Sequence, residues 1–206
     1  MKTVSRLGKI ARSRFKELTL KDFIKLAGVS LFRNDSIIVY SLDLSNVCMK
    51  NQNCFEVFNI RKGNLLEIDR LRKNQKFAYW EFYCDKYDGV KDFYISVCEE
   101  VLQHISWIYY KEDPNRILRL GDYGAEIKYC LTIPEYRGKG IYPKVLTAIA
   151  CYLKKMEFKH LFICVEKNNI PSIRGIEKAG FKVIKKIKLI KLFGVQLTKK
   201  FDVQKV

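Results

Sequence analysis

The segment at 130–146, CLTIPEYRGKGIYPKVL, constrains the fold of this 206-residue chain more than any other. An apolar strand stops at Pro134, and an apolar helix starts near Gly138. The join must be tight, and Gly138 and Gly140 permit it because neither carries a Cβ. The first N–H groups of a helix have no intrahelical partner, and the helix dipole makes that end electropositive. Arg137 and Lys139 add two cations. Such a join is either a plain turn with surface charge or a cradle for a pyrophosphate or other polyanion. It is not a P-loop, which needs wider glycine spacing and a Lys-Ser/Thr pair. Nor is it Gly-x-Gly-x-x-Gly, because no third glycine follows.

The remaining pattern places this join in a layered α/β chain. Up to about Gly28, apolar and basic residues recur at helical spacing, with Leu7, Ile10, Ala11, Phe15 and Leu18 on one face. Thr19 is placed to cap a second helix ending at Gly28. SIIVYSLDL and CFEVFNI read as strands, and GNLLEIDRLRKN as a helix with Leu65, Ile68 and Leu71 on one face. FAYWEFYCDKY reads as a helix, and DFYISVCEEVLQHISWIYYK as a hairpin turning at Glu99 and Glu100. AEIKYCLTIP is a strand, GIYPKVLTAIACYLKKM a helix, HLFICVE a buried strand, and IPSIRGIEKAG a helix stopped by Gly180. The last apolar stretch reads as two strands around Gly194. Helices packed on a sheet follow from that order.

Composition narrows the class. At 48% hydrophobic residues the chain can build a core, and no apolar run is long enough to span a bilayer. The basic N-terminus lacks the continuous apolar stretch of a secretory signal, so a cytoplasmic protein is expected. Seven cysteines, with no C-x-x-C pair, read as buried thiols in a reducing compartment. His104 and His160 do not sit at ligand spacing from any cysteine, so no metal site is expected. The net charge of +17 implies attraction to nucleic acid, a membrane surface or a phosphate-rich small molecule, or else only a solvated lysine-rich surface.

Two segments carry a resemblance. Arg137-Gly138-Lys139-Gly140-Ile141-Tyr142, following Pro134-Glu135-Tyr136, resembles the acyl-CoA loop of the GNAT superfamily of N-acyltransferases, Arg/Gln-x-x-Gly-x-Gly/Ala. NNIPSIRGIEKAGF, at 168–181, is similar to the Asn-x-x-Ala/Ser … Glu-Lys-x-Gly-Phe segment of the same family. The resemblance runs from about residue 76 to the end. It implies a mixed α/β (α+β) fold, with a mostly antiparallel central sheet flanked by helices. Residues 1–206 then form a single domain, with an acyl-CoA-binding core at 76–206. Residues 1–75 form an N-terminal α/β extension that shapes the acceptor site or a homodimer contact.

The resemblance also implies the chemistry. Acyl-coenzyme A is the co-substrate, and a primary amine attacks its thioester directly. Arg137, Gly138, Lys139, Gly140, Ile141 and Tyr142 would hold the pyrophosphate. The backbone of Leu131, Thr132 and Ile133 would align the pantetheine arm, and Asn169 and Ser172 would contact the coenzyme from the other side. Glu126, in AEIKYC, matches a glutamate that serves as base through water in histone-acetylating relatives; otherwise it is a solvent-facing strand residue. His104 is the second candidate base, or else a structural histidine. Two positions depart from the pattern. Tyr142 stands where glycine or alanine is usual, and Ile176 where many members carry a tyrosine that protonates the leaving thiolate.

The combination of this extension with RGKGIYPKVL and SIRGIEKAGF looks like GNAT members that N-acylate nucleotide-linked amino sugars for surface-polysaccharide synthesis. The positive charge suits a diphosphate acceptor. Phe55, Phe58, Tyr79, Trp80, Phe82 and Tyr83 either stack on a base or sugar or pack in the core. Protein N-acetylation, coenzyme sensing without catalysis, and a nucleic-acid-binding module using Lys182, Lys185, Lys186, Lys188 and Lys191 remain open.

Overall fold

The computed structural model describes residues 32–47, 56–75, 79–192 and 195–205. The two N-terminal helices, the Thr19 cap, Cys48, Cys54 and Phe55 lie outside the described residues. The chain divides into two compact units. One comprises the described residues within 37–187 and 200–205; the other contains the described residues 32–36, 188–192 and 195–199.

Strand β1 (Phe32–Asp43) is followed by β2 (Ile60–Lys62), α1 (Leu65–Lys73), a 3-10 turn (Trp80–Tyr83) and α2 (Cys84–Asp88). Then come β3 (Phe93–Cys98), β4 (Val101–Tyr109), β5 (Leu118–Arg119), β6 (Gly124–Thr132), a 3-10 turn (Pro134–Tyr136) and α3 (Ile141–Lys155). The chain ends with β7 (His160–Glu166), α4 (Ile170–Lys178), β8 (Lys182–Leu192), β9 (Val195–Gln196) and β10 (Phe201–Asp202). In the larger unit the sheet runs β2-β3-β4-β6-β7-β1-β8, while β5 and β10 form a separate parallel pair. β2, β3, β4 and β6 pair successively antiparallel, β7 pairs antiparallel with β1, and β6 with β7 is parallel. In the smaller unit β9 folds back antiparallel on β8. The expected mostly antiparallel sheet flanked by helices is therefore present. Among the described residues no helix is long and apolar enough to cross a membrane.

Strand alternation buries both sheet faces. Ile108, Ala125, Ile127, Leu161 and Ile163 meet Val145, Leu146, Ile149 and Leu153 of α3. On the other face, Ile95, Ile105, Trp107 and Tyr109 meet Ile68 and Leu71 of α1 and Phe82. Asn64 caps α1 by accepting the N–H of Glu67, which favours starting the helix there.

Two sequence readings change. CFEVFNI is not a strand over its described part. Asn59 adopts φ 43° and its N–H bonds to Glu56 O at 3.0 Å, so a turn precedes a strand that begins at Ile60. AEIKYCLTIP leaves the strand at Thr132, because Pro134 opens a 3-10 turn. The hairpin at Glu99 and Glu100 is present, both residues at positive φ, and Gly180 ends α4 at φ 89°.

An ion cluster ties α1 to α2. Arg72 is 9% exposed, and its guanidinium bonds to Phe82 O, Asp69 and the buried Asp85. Removing one partner of a buried pair leaves the other charge uncompensated. Arg72→Met is therefore expected to cost about 3–5 kcal/mol in urea-unfolding stability, and Asp85→Asn/Arg72→Met together less than Arg72→Met alone.

Candidate functional site

The site is built where β6 ends. On β4, Ile105 faces Leu131 and Trp107 faces Lys128, so Ser106 alone stands opposite Tyr129 and Cys130. Tyr129 takes φ 52° in this bulge. Bulges bend a strand and increase its twist. β6 and β7 pair from Gly124↔His160 to Ile127↔Ile163 and no further, although both strands continue. A fork opens there. Ile133 N–H is spent on Gln103 O at 2.9 Å, so alternation turns the backbone of Thr132 toward the β7 side. Thr132 O accepts Arg137 Nε at 3.0 Å.

Helix α3 begins at the head of this fork. Gly138 and Gly140 sit at φ 78° and 76°, which strains any residue with a Cβ. Among the described residues nothing lies within 4 Å of where their Cβ atoms would be. No described side chain caps the helix. Pro143, in the first turn, has no N–H to satisfy. Ile141 anchors the turn from below, 2% exposed. The open N–H groups and two nearby cations fit a diphosphate. Lys139 rests over the Tyr136 ring at 4.9 Å. Arg137 Nε closes the strand end by donating to Thr132 O.

Tyr142 points inward. A Cβ on Gly175 would lie 2.5 Å from its ring, so glycine in α4 makes the space the ring fills. Its hydroxyl meets the Cys130 thiol, which also contacts Ser106; burial pushes the thiol up to about 11. Ser106 Oγ lies 2.7 Å from His104 Nε2, and Thr132 Oγ1 lies 2.7 Å from Nδ1. These groups form a polar row from Thr132 to Tyr142, fully buried at His104 and Ser106 and half-buried at its ends. His104 is 0% exposed and burial pushes it down to about 3, so the ring is neutral with both nitrogens bonded. Asn169 caps α4 by accepting Ser172 N–H at 3.3 Å. Ile176 is 0% exposed in the core.

Glu126 lies one pair before the fork, opposite Tyr109 and Phe162. It is buried, not solvent-facing, at 2% exposure. Burial pushes its carboxyl up, opposed by Lys128, by a hydrogen bond with Cys164 and by Lys200. Oε2 has no partner among the described residues. On this face Trp80 meets Tyr129 edge-on at 4.8 Å, and both rings are half-buried; Phe82 is core. The sequence reading passed over Lys128, Cys130, Ser106 and Cys164. Only "AEIKYC" hinted at Lys128, two residues from Glu126. Among the described residues no group of three His, Cys, Asp or Glu side chains gathers as a metal site requires.

The family profile Acetyltransferase (GNAT) domain matches residues 70–182. Among solved structures, an acetyltransferase of the GNAT family from Novosphingobium aromaticivorans superposes with TM-score 0.54 at 18% identity, over 78% of this chain and 66% of that one. A GNAT-family acetyltransferase from Colwellia psychrerythraea gives TM-score 0.55 at 14% identity, over 78% and 57%. A glucosamine N-acetyltransferase region of a fungal multi-domain β-N-acetylglucosaminidase gives 0.53 at 15% identity, over 82% and 22%. The chain thus spans less than two thirds of the length of each. No curated protein sequence matches.

Two outcomes test this geometry. Gly175→Ala should cost about 1–3 kcal/mol by overpacking. In a Tyr142→Ala background the same change should stabilise by up to about 1 kcal/mol, the helix-propensity gain, as read in a thermal double-mutant cycle. For His104, the folded pKa lies below the unfolded value of about 6.5, so the unfolded state binds the extra proton. Its contribution to stability is complete above about pH 6.5 and is lost as pH falls toward 3. His104 ring signals should not titrate between about pH 5 and 8, and His104→Gln should flatten the acid slope of stability.

Proposed function

This chain belongs to the GNAT acetyltransferase family, and from that premise we propose that it is an acyl-CoA-dependent N-acyltransferase acting on a primary amine. The observation that carries the reading is the uncapped start of α3, opened by Gly138 and Gly140 beside a forked sheet. The N–H groups at 138–142 hold the coenzyme's linked phosphates, with Arg137 and Lys139 supplying charge. Leu131, Thr132 and Ile133 offer a strand edge along which a pantetheine amide chain lies, and Asn169 and Ser172 border it from α4.

The chemistry needs two substrates oriented, an oxyanion stabilised and a proton accepted. The unprotonated amine attacks the thioester carbonyl: a C–N bond forms, the C–S bond breaks, and the nitrogen loses its proton. Glu126 takes that proton, directly or through water. Burial raises its proton affinity above that of a free carboxylate, the direction a base requires. His104 is the weaker candidate, because a neutral ring with both nitrogens engaged has no free lone pair to offer. Ile176 has no proton to give. A thiol of pKa about 8.5 leaves as thiolate without a dedicated acid.

The acceptor is a nucleotide-linked amino-deoxy sugar. Half-exposed Trp80 and Tyr129 offer apolar ring faces on the Glu126 side, and the net charge of +17 favours a diphosphate. The structurally similar fungal region is a glucosamine N-acetyltransferase, an enzyme acting on an amino sugar.

Acetyl-CoA should raise the melting temperature, and a Gly140→Val variant should lose most of that shift. Free thiol should appear only when an amino sugar nucleotide is added. Glu126→Gln should lower kcat about 100-fold or more. Thiol release with a peptide amine instead would assign protein N-acetylation. No coenzyme shift, with salt-dependent retention on DNA, would sink the transferase reading.

A further inference from the structure

Lys128 is the first residue of β6 beyond its last pair with β7. It stands opposite Trp107, and Glu126 opposite Tyr109, so both side chains leave the same sheet face. A lysine ordinarily keeps its ammonium in water. Lys128 is instead half-buried, its Nζ donating to Pro114 O at 3.3 Å and lying 4.1 Å from the Tyr109 ring centroid and 5.5 Å from that of Tyr129. A carbonyl and two ring faces hold the ammonium at the fork, over Tyr109, which pairs with Glu126 across the strands; the Glu126 Oε2 has no partner among the described residues.

Resting on the reading of Glu126 as proton acceptor, we propose that Lys128 is its positioning residue: the pinned ammonium keeps Glu126 ionised and ready for the amine's proton. Other groups are in range. Cys164 faces Glu126 from β7, Tyr109 from β4, and Lys200 from the segment before β10. Asp88, Arg116 and Cys164 act on Lys128, and Asp113 lies in the same loop. Asp88 accepts the Tyr109 hydroxyl at 2.7 Å. Burial and Glu126 hold the Cys164 thiol protonated, so it donates a hydrogen bond and brings no charge. Lys200 is exposed, and water screens it. Lys128 is half-buried, so its field reaches Glu126 with less screening.

Burial alone would neutralise both groups, since it raises the carboxyl and lowers the ammonium. Each charge opposes the effect of burial on the other. Removing the ammonium therefore raises the Glu126 carboxyl further, and higher pH restores the base. A loss of mere packing would lower activity at every pH instead.

The test is the pH profile of kcat/KM with acetyl-CoA and the amine that releases thiol, alongside an infrared titration of the carboxyl band in the protein alone. Variants are Lys128→Met, Lys128→Gln, Lys128→Arg and Glu126→Gln, each checked for folding by near-ultraviolet circular dichroism. Lys128→Met and Lys128→Gln should move the acid limb up by about one pH unit or more, a tenfold loss at the wild-type midpoint, and recover most activity at high pH. Lys128→Arg should restore the wild-type limb, and the infrared band lost in Glu126→Gln should shift in step. An unmoved limb in both neutral variants, or a pH-independent loss, overturns the proposal while the Glu126 reading stands. A limb that survives Glu126→Gln overturns that reading and the proposal with it.

Discussion

One extra residue in β6 sets the geometry on which the site depends. With Tyr129 and Cys130 both facing Ser106, the strand cannot keep its ladder straight, and pairing with β7 has already ended at Ile127. Backbone polar groups of an interior strand are thereby left for something other than a neighbouring strand. Buried or half-buried groups of that kind are paired in native proteins almost without exception. Arg137 meets one of them, Thr132 O, and the start of α3 presents further N–H groups nearby. The fork and the uncapped helix are two consequences of one irregularity followed by one Gly-x-Gly turn.

Beneath that turn the sheet face is polar where an apolar one would be cheaper. Thr132, His104, Ser106, Cys130 and Tyr142 satisfy one another in sequence, so the row is stable while fully bonded and costly if broken. Tyr142 ends it, seated against Gly175. The row joins the two segments of the chain that carry the family pattern, since Tyr142 belongs to one and Gly175 to the other. The bulky residue at 142 is thus a packing partner of α4, and the glycine at 175 is its complement.

The opposite face uses charge differently. Exposed lysines such as Lys182, Lys185 and Lys200 are screened by water. Lys128 is half-buried and leaves the same sheet face as Glu126, which is buried at 2% exposure. Two groups that burial would each neutralise can stay charged together. The pair stands at the end of the β6–β7 ladder, where Lys128 is the first unpaired residue.

Much of this was legible in the sequence, and for a local reason. The strand, proline, two glycines and helix at 130–155 are determined by backbone sterics and apolar spacing within a few residues. The same holds for the Glu99–Glu100 hairpin turn and the stop at Gly180. The two segments carrying the family resemblance are local patterns as well. What only the tertiary structure decided involves residues distant in the chain. Whether Glu126 meets water or Cys164, whether His104 is a base or a link between Thr132 and Ser106, and whether Tyr142 faces a ligand or Gly175 all depend on strand register and on which face is covered. A one-residue bulge changes that register without changing the apolar pattern that periodicity can read.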